Sequence, residues 1–229
     1  MVTVAQGDSL SQPAWSPDGE MIYFSADGIK RVQADGGAAP ETVLPVGTNP
    51  AVSPDGSRLA FVKDYKKNQP GVFVYEFASK EIIPIDTVTT HPLAPRFSRN
   101  GRYLVYESRG TREIIISAAD GSRRWTIKDA KPLFHPDWSF DDTYLYARTR
   151  GAGQSLYRMR ISLENGFRPL GIFERVYRVG AAIRYEPHPL DRRMLLGLIA
   201  VDYAGEKNAV FQVIENWDVA LARKLQARK

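Results

Sequence analysis

The chain contains no cysteine. That excludes a disulfide framework, a Cys-ligated zinc site and a thiol nucleophile, and it leaves the compartment open, because a periplasmic protein can also lack Cys. Histidine is scarce: only His91, His135 and His188 occur. They stand at different distances from the nearest repeat motif, and no carboxylate–histidine cluster of short spacing accompanies them. Packed or solvated histidines are expected, with no bound metal and no other cofactor. No apolar run approaches the ~18 residues of a transmembrane helix, so no membrane insertion is expected. The opening MVTVAQGDSL has neither a basic start nor an apolar stretch, and reads as no signal peptide. Basic residues form no long block, and no nucleic-acid partner is expected. A Gly-x-Ser-x-Gly elbow is missing as well. Gly153-Gln154-Ser155-Leu156-Tyr157 lacks the second glycine and falls in a β-like run, so a hydrolase nucleophile is not expected. No catalytic residue emerges from these absences, and the chain does not read as an enzyme.

What is present is an ordinary globular composition, 43% hydrophobic and 11% aromatic, over 229 residues. The 18 Gly and 15 Pro are spread evenly, which with abundant Tyr, Phe and β-branched residues favours many short strands joined by tight turns. The formal charge of +5 permits an acidic ligand without requiring one.

A repeat organises the chain. QPAWSPDGEMIYF (12–24) is followed by NPAVSPDGSRLAF (49–61), APRFSRNGRYLVY (94–106), HPDWSFDDTYLYA (135–147) and a degraded copy, AIRYEPHPLDRRMLLG (182–197). In Ser-Pro-Asp-Gly the proline presets φ, the Asp can bond its own backbone, and the Gly accepts a positive φ; apolar runs on both sides make it a hairpin. Ahead of the turn stand Trp15, Val52, Phe97, Trp138 and Tyr185; beyond it stand Ile22, Leu59, Leu104, Leu145 and Leu195. Further β-like runs follow each hairpin: Gly28–Gln33, Val72–Phe77, Ile114–Ser117, Leu156–Ile161 and Val210–Ile214, then Thr42–Leu44, Ile82–Ile85, Trp125–Ile127 and Pro169–Phe173. Four antiparallel strands per ~40–45 residues is the period of a propeller blade.

The expected fold is therefore all-β, a β-propeller of four-stranded antiparallel blades at about 6–45, 46–86, 87–128, 129–174 and 175–217. The strand 2–5 would complete the last blade, and a short C-terminal helix is expected over 218–229, where Val219, Leu221 and Leu225 sit among Lys and Arg. Five repeats fit a closed five-bladed ring or the C-terminal part of a six- to eight-bladed one, and both readings stay open.

Trp15–Gly19 and Ser53–Gly56, each followed by an aliphatic–aromatic strand, resemble the WD-like repeat of TolB-type β-propellers. The tail VIENWDVAL (213–221) is similar to the ending of propeller regions in some large bacterial regulators. The resemblance implies an interaction or sensor module, of periplasmic location if it follows TolB. The matching residues are turn residues and transfer no active site.

The candidate site residues lie outside the motif. Loops between second and third strands share a face with blade-to-blade linkers. On that face fall Lys63, Lys66, Lys67, Arg109, Arg112, Arg148, Arg150 and Lys207, with Tyr65 and Tyr203 among them and Asp64, Glu113, Asp202 and Glu206 against them, a net basic rim suited to a protein or peptide partner or another acidic ligand. A column just after the entry proline reads Ala14, Ala51, Arg96 and Asp137, continued by Arg184, and would make a polar funnel on the inner strands; an Arg96–Asp137 ion pair would serve equally. The alternatives are loop charges kept for solubility, and a propeller enzyme or enzyme remnant, lyase-like with a metal or cut from a prolyl-oligopeptidase-type hydrolase. The four tryptophans are expected to pack in the core or at its edges.

Overall fold

The computed structural model describes residues 10–35, 37–66, 69–150, 154–178, 182–187, 194–201 and 207–214. They form five antiparallel sheets and, among the described residues, no helix. The first sheet runs β1 (Ser11–Trp15), β2 (Met21–Ala26), β3 (Gly28–Gln33) and β4 (Glu41–Leu44). The second runs β5 (Thr48–Val52), β6 (Arg58–Lys66), β7 (Gln69–Glu76) and β8 (Ile82–Asp86). The third runs β9 (Pro92–Phe97), β10 (Tyr103–Ser108), β11 (Glu113–Ala118) and β12 (Arg124–Ile127). In the fourth, β13 (Phe134–Trp138), β14 (Tyr144–Arg148) and β15 (Ser155–Ser162) are completed by two short strands, β16 (Arg168–Pro169) and β17 (Glu174–Arg178). The fifth holds β18 (Ala182–Pro187), β19 (Met194–Val201) and β20 (Lys207–Ile214). Consecutive strands pair throughout, the meander that short turns impose.

Two expectations change here. The run Pro169–Phe173 is not one strand: ladder pairing ends at Pro169, Leu170 still donates its N–H to Arg160 O at 2.8 Å, Gly171 to Phe173 stand outside any strand, and pairing resumes at Glu174. In the fifth sheet Tyr185 faces Leu196, one residue past the expected Leu195, because β18 and β19 pair in unbroken register from Ala182↔Ile199 to Pro187↔Met194. Strand 2–5, the helix at 218–229, Trp217 and His188 lie outside the described residues.

The repeat motif folds the same way four times. In the second sheet Ser53 Oγ accepts the Arg58 N–H at 2.9 Å, and the Asp55 carboxylate accepts the Ser57 N–H at 3.1 Å and the Ser53 hydroxyl. Ser16/Asp18, Ser98/Asn100 and Ser139/Asp141 repeat this arrangement. The turn closes with a left-handed residue: Gly19, Gly56 and Gly101 at φ 75, 72 and 69°, and Asp142, a tolerated substitute, at 55°. Each Ser–Asp pair is thus occupied by its own turn.

A second repeated device lies on the inner strand of each of the first four sheets. Register slips across Gln12-Pro13, Asn49-Pro50, Ala94-Pro95 and His135-Pro136. The residue before each proline is left-handed, at φ 55, 56, 52 and 50°. This is a β-bulge: the proline has no N–H to offer the ladder, and the extra residue absorbs the break. The bulge leaves a backbone N–H without a ladder partner, and the preceding sheet supplies one. Gln12 Oε1 accepts the Asn49 N–H at 3.2 Å, with Ser25 Oγ at 3.0 Å, and Asn49 Oδ1 accepts the Ala94 N–H at 3.2 Å.

The chain divides into two compact units, Met1–Lys128 and Asp129–Lys229. In the first, Tyr23, Ile29 and Leu44 pack against Leu59, Phe61 and Phe73 of the next sheet. Ala51, Ala60, Val72, Val74 and Ile85 pack in turn against Phe97, Leu104, Tyr106 and Ile115 of the third. A side chain of this size contributes about 2 kcal/mol when fully buried. Arg58 pins the second and third sheets together, donating to Gly101 O at 2.7 Å and lying over the Phe97 ring. The motif's aromatic column is not uniform, however. Phe97 and Trp138 are buried, whereas Trp15 is 55% exposed and so stands outside the core at the first repeat. Trp125 stacks edge-on against Tyr103 at 6.0 Å.

Candidate functional site: a loop platform over Asp86

The first unit carries its most developed polar cluster where β8 ends. Asp86 caps the linker to β9: its Oδ1 accepts the N–H groups of Val88 and Thr89 at 2.9 and 3.0 Å, the geometry of an Asx turn. Its Oδ2 accepts the Thr89 hydroxyl, the Tyr106 hydroxyl at 2.6 Å and Arg124 Nε at 3.0 Å. Arg124 Nη2 also donates to Thr89 Oγ1 at 3.0 Å. Because Tyr106 gives its one proton to Asp86, the 2.6 Å contact with Ser117 Oγ has the serine as donor. Burial pushes the Asp86 carboxyl up, but the bonds from Thr89, Tyr106 and the two N–H groups outweigh it, and the group sits below the ordinary carboxylate value. Burial, then the charge of Asp86, drive the Tyr106 hydroxyl well above its ordinary value. Every polar atom here has a partner. The cluster is built to hold a shape, and offers no poised base or nucleophile.

The shape it holds is a platform. The linker Thr87–His91 lies beside the turn Arg109–Arg112 between β10 and β11. Arg109 N–H donates to His91 O at 3.1 Å, Gly110 N–H to Thr90 O at 3.2 Å, and Ser108 Oγ to Thr90 O at 2.9 Å. Gly110 is needed for that approach, since a Cβ there would meet Thr90 Cγ2 at 2.5 Å. Val88, Thr90, His91, Arg109, Thr111 and Arg112 are exposed on it. His91 and Arg112 are left-handed, at φ 50 and 58°, where glycine or asparagine would be ordinary. Glu113 is drawn off by Lys128 at 2.8 Å and by Thr111 at 2.7 Å, and sits below its ordinary value, Lys128 being the larger cause. Glu107 is buried 3.6 Å from Arg109. Among the described residues, Arg112 has no ion pair.

Of the candidates named from the sequence, the structure brings Arg109 and Arg112 together on this turn. Tyr65 and Lys66 end β6, and Lys67 lies outside the described residues. Lys63 lies with its ammonium 4.7 Å from the Phe73 ring centroid. Arg96 is half-buried on β9 and donates to Pro95 O at 3.0 Å. In the second unit, Asp137 Oδ1 accepts the Trp138 N–H at 2.8 Å, and Arg150 stacks 4.0 Å from the Phe134 ring centroid. Arg148 donates to Gln154 at 2.9 Å, and Arg184 stands on β18 opposite Gly197. Sequence reasoning missed Asp86, Val88, Thr89, Tyr106, Ser117 and Arg124. The Asp-x-x-Thr spacing of Asp86 and Thr89 is a local signal for the capped linker; nothing local points to Tyr106 or Arg124. The described residues contain no group of three His, Cys, Asp or Glu able to hold a metal ion, and no helix long and apolar enough to cross a membrane.

No family model matches the chain, and no curated protein matches it. Solved structures do. A putative TolB from Agrobacterium tumefaciens is similar over 91% of this chain and 77% of its own, at 17% identity and a TM-score of 0.73. TolB from Acinetobacter baumannii is similar over 91% of this chain at 15% identity and a TM-score of 0.60, and this chain spans only 55% of its length. An oligogalacturonate lyase in complex with manganese is similar over 90% of this chain and 66% of its own, at 13% identity and a TM-score of 0.56. Likeness at such identities shows the fold alone, and the chain accordingly has the TolB-like β-propeller fold, built of four-stranded antiparallel blades.

Proposed function

We propose that the chain is a non-catalytic binding or scaffold module that presents a basic loop face to a protein or peptide partner, as a sensor portion of a larger bacterial protein or as a free module. One observation carries the reading. Asp86, Thr89, Tyr106, Ser117 and Arg124 close their hydrogen bonds on one another, whereas Arg109 and Arg112 are exposed on the neighbouring turn. Closed networks stabilise, and exposed arginines on fixed loops recruit partners. The sequence adds Lys66, Lys67 and Arg150 to this proposal as further basic loop residues. The propeller fold itself does not decide between binding and catalysis, since a manganese-bound lyase has it too.

A pull-down from a bacterial lysate tests the reading, with wild type against a chain carrying Lys66→Glu, Lys67→Glu, Arg109→Glu and Arg112→Glu. Loss of a specific partner at unchanged melting temperature is expected. Retention of every partner overturns the basic-face reading. A melting temperature raised by Mn²⁺, Zn²⁺ or Ca²⁺ would favour a lyase-like enzyme instead.

A further inference from the structure

We infer that the platform over Asp86 is the seat of partner contact, and that it takes a peptide segment in which an acidic side chain stands beside an apolar one. The inference rests on the binding-module reading and adds the place and the chemistry.

Val88 supplies the first part. It is 76% exposed, on a linker where a polar residue would satisfy every packing demand. It is also held there: Asp86 binds the N–H of Val88 and of Thr89, and Arg124 binds the Thr89 hydroxyl, so the linker has little freedom to turn the side chain inward. An apolar group fixed in water by a buried ionic cluster gains nothing for the fold. It gains when a partner's apolar side chain covers it.

Charge supplies the second part. His91 on the same linker and Arg109 and Arg112 on the turn that bonds to it are exposed. The nearby carboxylates are paired, Asp86 with Arg124, Glu113 with Lys128 and Glu107 with Arg109, which leaves Arg112 as the cation of this turn without an ion pair among the described residues. The surface that remains is cationic and complementary to a carboxylate.

Backbone strain adds to this. His91 and Arg112 each hold a left-handed conformation that costs a non-glycine residue about 1–2 kcal/mol. Such strain collects where a side chain is needed at a set position. Arginine is also among the residues enriched at interface hot spots.

The test uses the full chain and an array of short fluorescent peptides in which Asp/Glu content and Leu/Phe content vary independently. Peptides carrying both are expected to bind, more weakly at raised salt. Val88→Asp and Arg112→Glu should each weaken that binding about ten-fold. Arg112→Gly keeps the left-handed turn and removes the charge, and should weaken binding equally, which separates loss of the cation from loss of the loop. Arg123→Glu, on the exposed turn before β12, should leave binding intact. If peptides bind but none of the platform variants weakens them, or Arg123→Glu weakens them as much, the seat lies elsewhere and only the binding-module reading survives. If no peptide of any composition binds and the lysate yields no partner, both fall.

Discussion

The hydroxyl of Tyr106 lies 2.6 Å from a carboxylate oxygen of Asp86, which joins the middle of the third sheet to the strand that ends the second. The two residues are twenty apart in the chain. Their bond, with Arg124 and Thr89 around it, makes the linker between these sheets part of the folded core rather than a tether.

Truncating this cluster should therefore be costly. Asp86→Ala leaves Arg124 without its carboxylate and Tyr106 with Ser117 as its remaining partner, and should destabilise the protein by about 3 kcal/mol. Tyr106→Phe keeps the ring packing and should cost about 1–2 kcal/mol. Urea unfolding of the two variants measures both, and equal, small losses would contradict the network.

Acid should act through the same residues. Asp86 sits below its unfolded value, and Asp55 is held at about 2, first by the Ser53 hydroxyl and then by the Ser57 N–H. Because the folded values are depressed, the stabilisation is fully present above the unfolded aspartate value of ~3.9 and is lost as pH falls through the folded values. The midpoint in urea should thus hold steady above about pH 5 and fall steeply from about pH 4 to pH 2. Asp86→Asn should lower the plateau and flatten that descent.

The bulge column makes a separate prediction. Asn49 tolerates its left-handed backbone and accepts the Ala94 N–H of the next sheet. Asn49→Ala removes the acceptor and makes the left-handed conformation less favourable, for a loss of about 2 kcal/mol. Hydrogen exchange at Ala94 should speed up along with it.

Two tryptophans in the same motif column should respond oppositely. Trp138 is fully buried, and Trp138→Ala should cost about 3–5 kcal/mol. Trp15 is 55% exposed, and Trp15→Ala should stay within about 1 kcal/mol of wild type. Thermal unfolding of the pair distinguishes the sites.

The architecture was legible because it is local. Ser16-Pro17-Asp18-Gly19 and its relatives encode their turns within a few residues, and all four turns appear where the motif stands. The inner-strand bulges also had a local sign, the proline after Gln12, Asn49, Ala94 and His135, although their left-handed backbone was not anticipated. The break at Leu170 and the shift to Leu196 were not readable, because pairing in an edge strand depends on its neighbour and a degraded copy gives no fixed count. The basic turn at Arg109 and Arg112 could be read as charge, but its setting could not.

By itself the amino-acid sequence determined the repeat, the hairpins and the four-stranded meander of the first three sheets, since turn chemistry and alternating apolar residues act over a few bonds. Tertiary structure alone decided which members of a repeated column are buried, as Trp15 and Trp138 show. It also decided that Asp86, Thr89, Tyr106, Ser117 and Arg124 meet, and that Val88 is held out in water on the linker that bonds to the Arg109–Arg112 turn. Those outcomes depend on which sheet packs against which, and no local pattern in the chain carries that information.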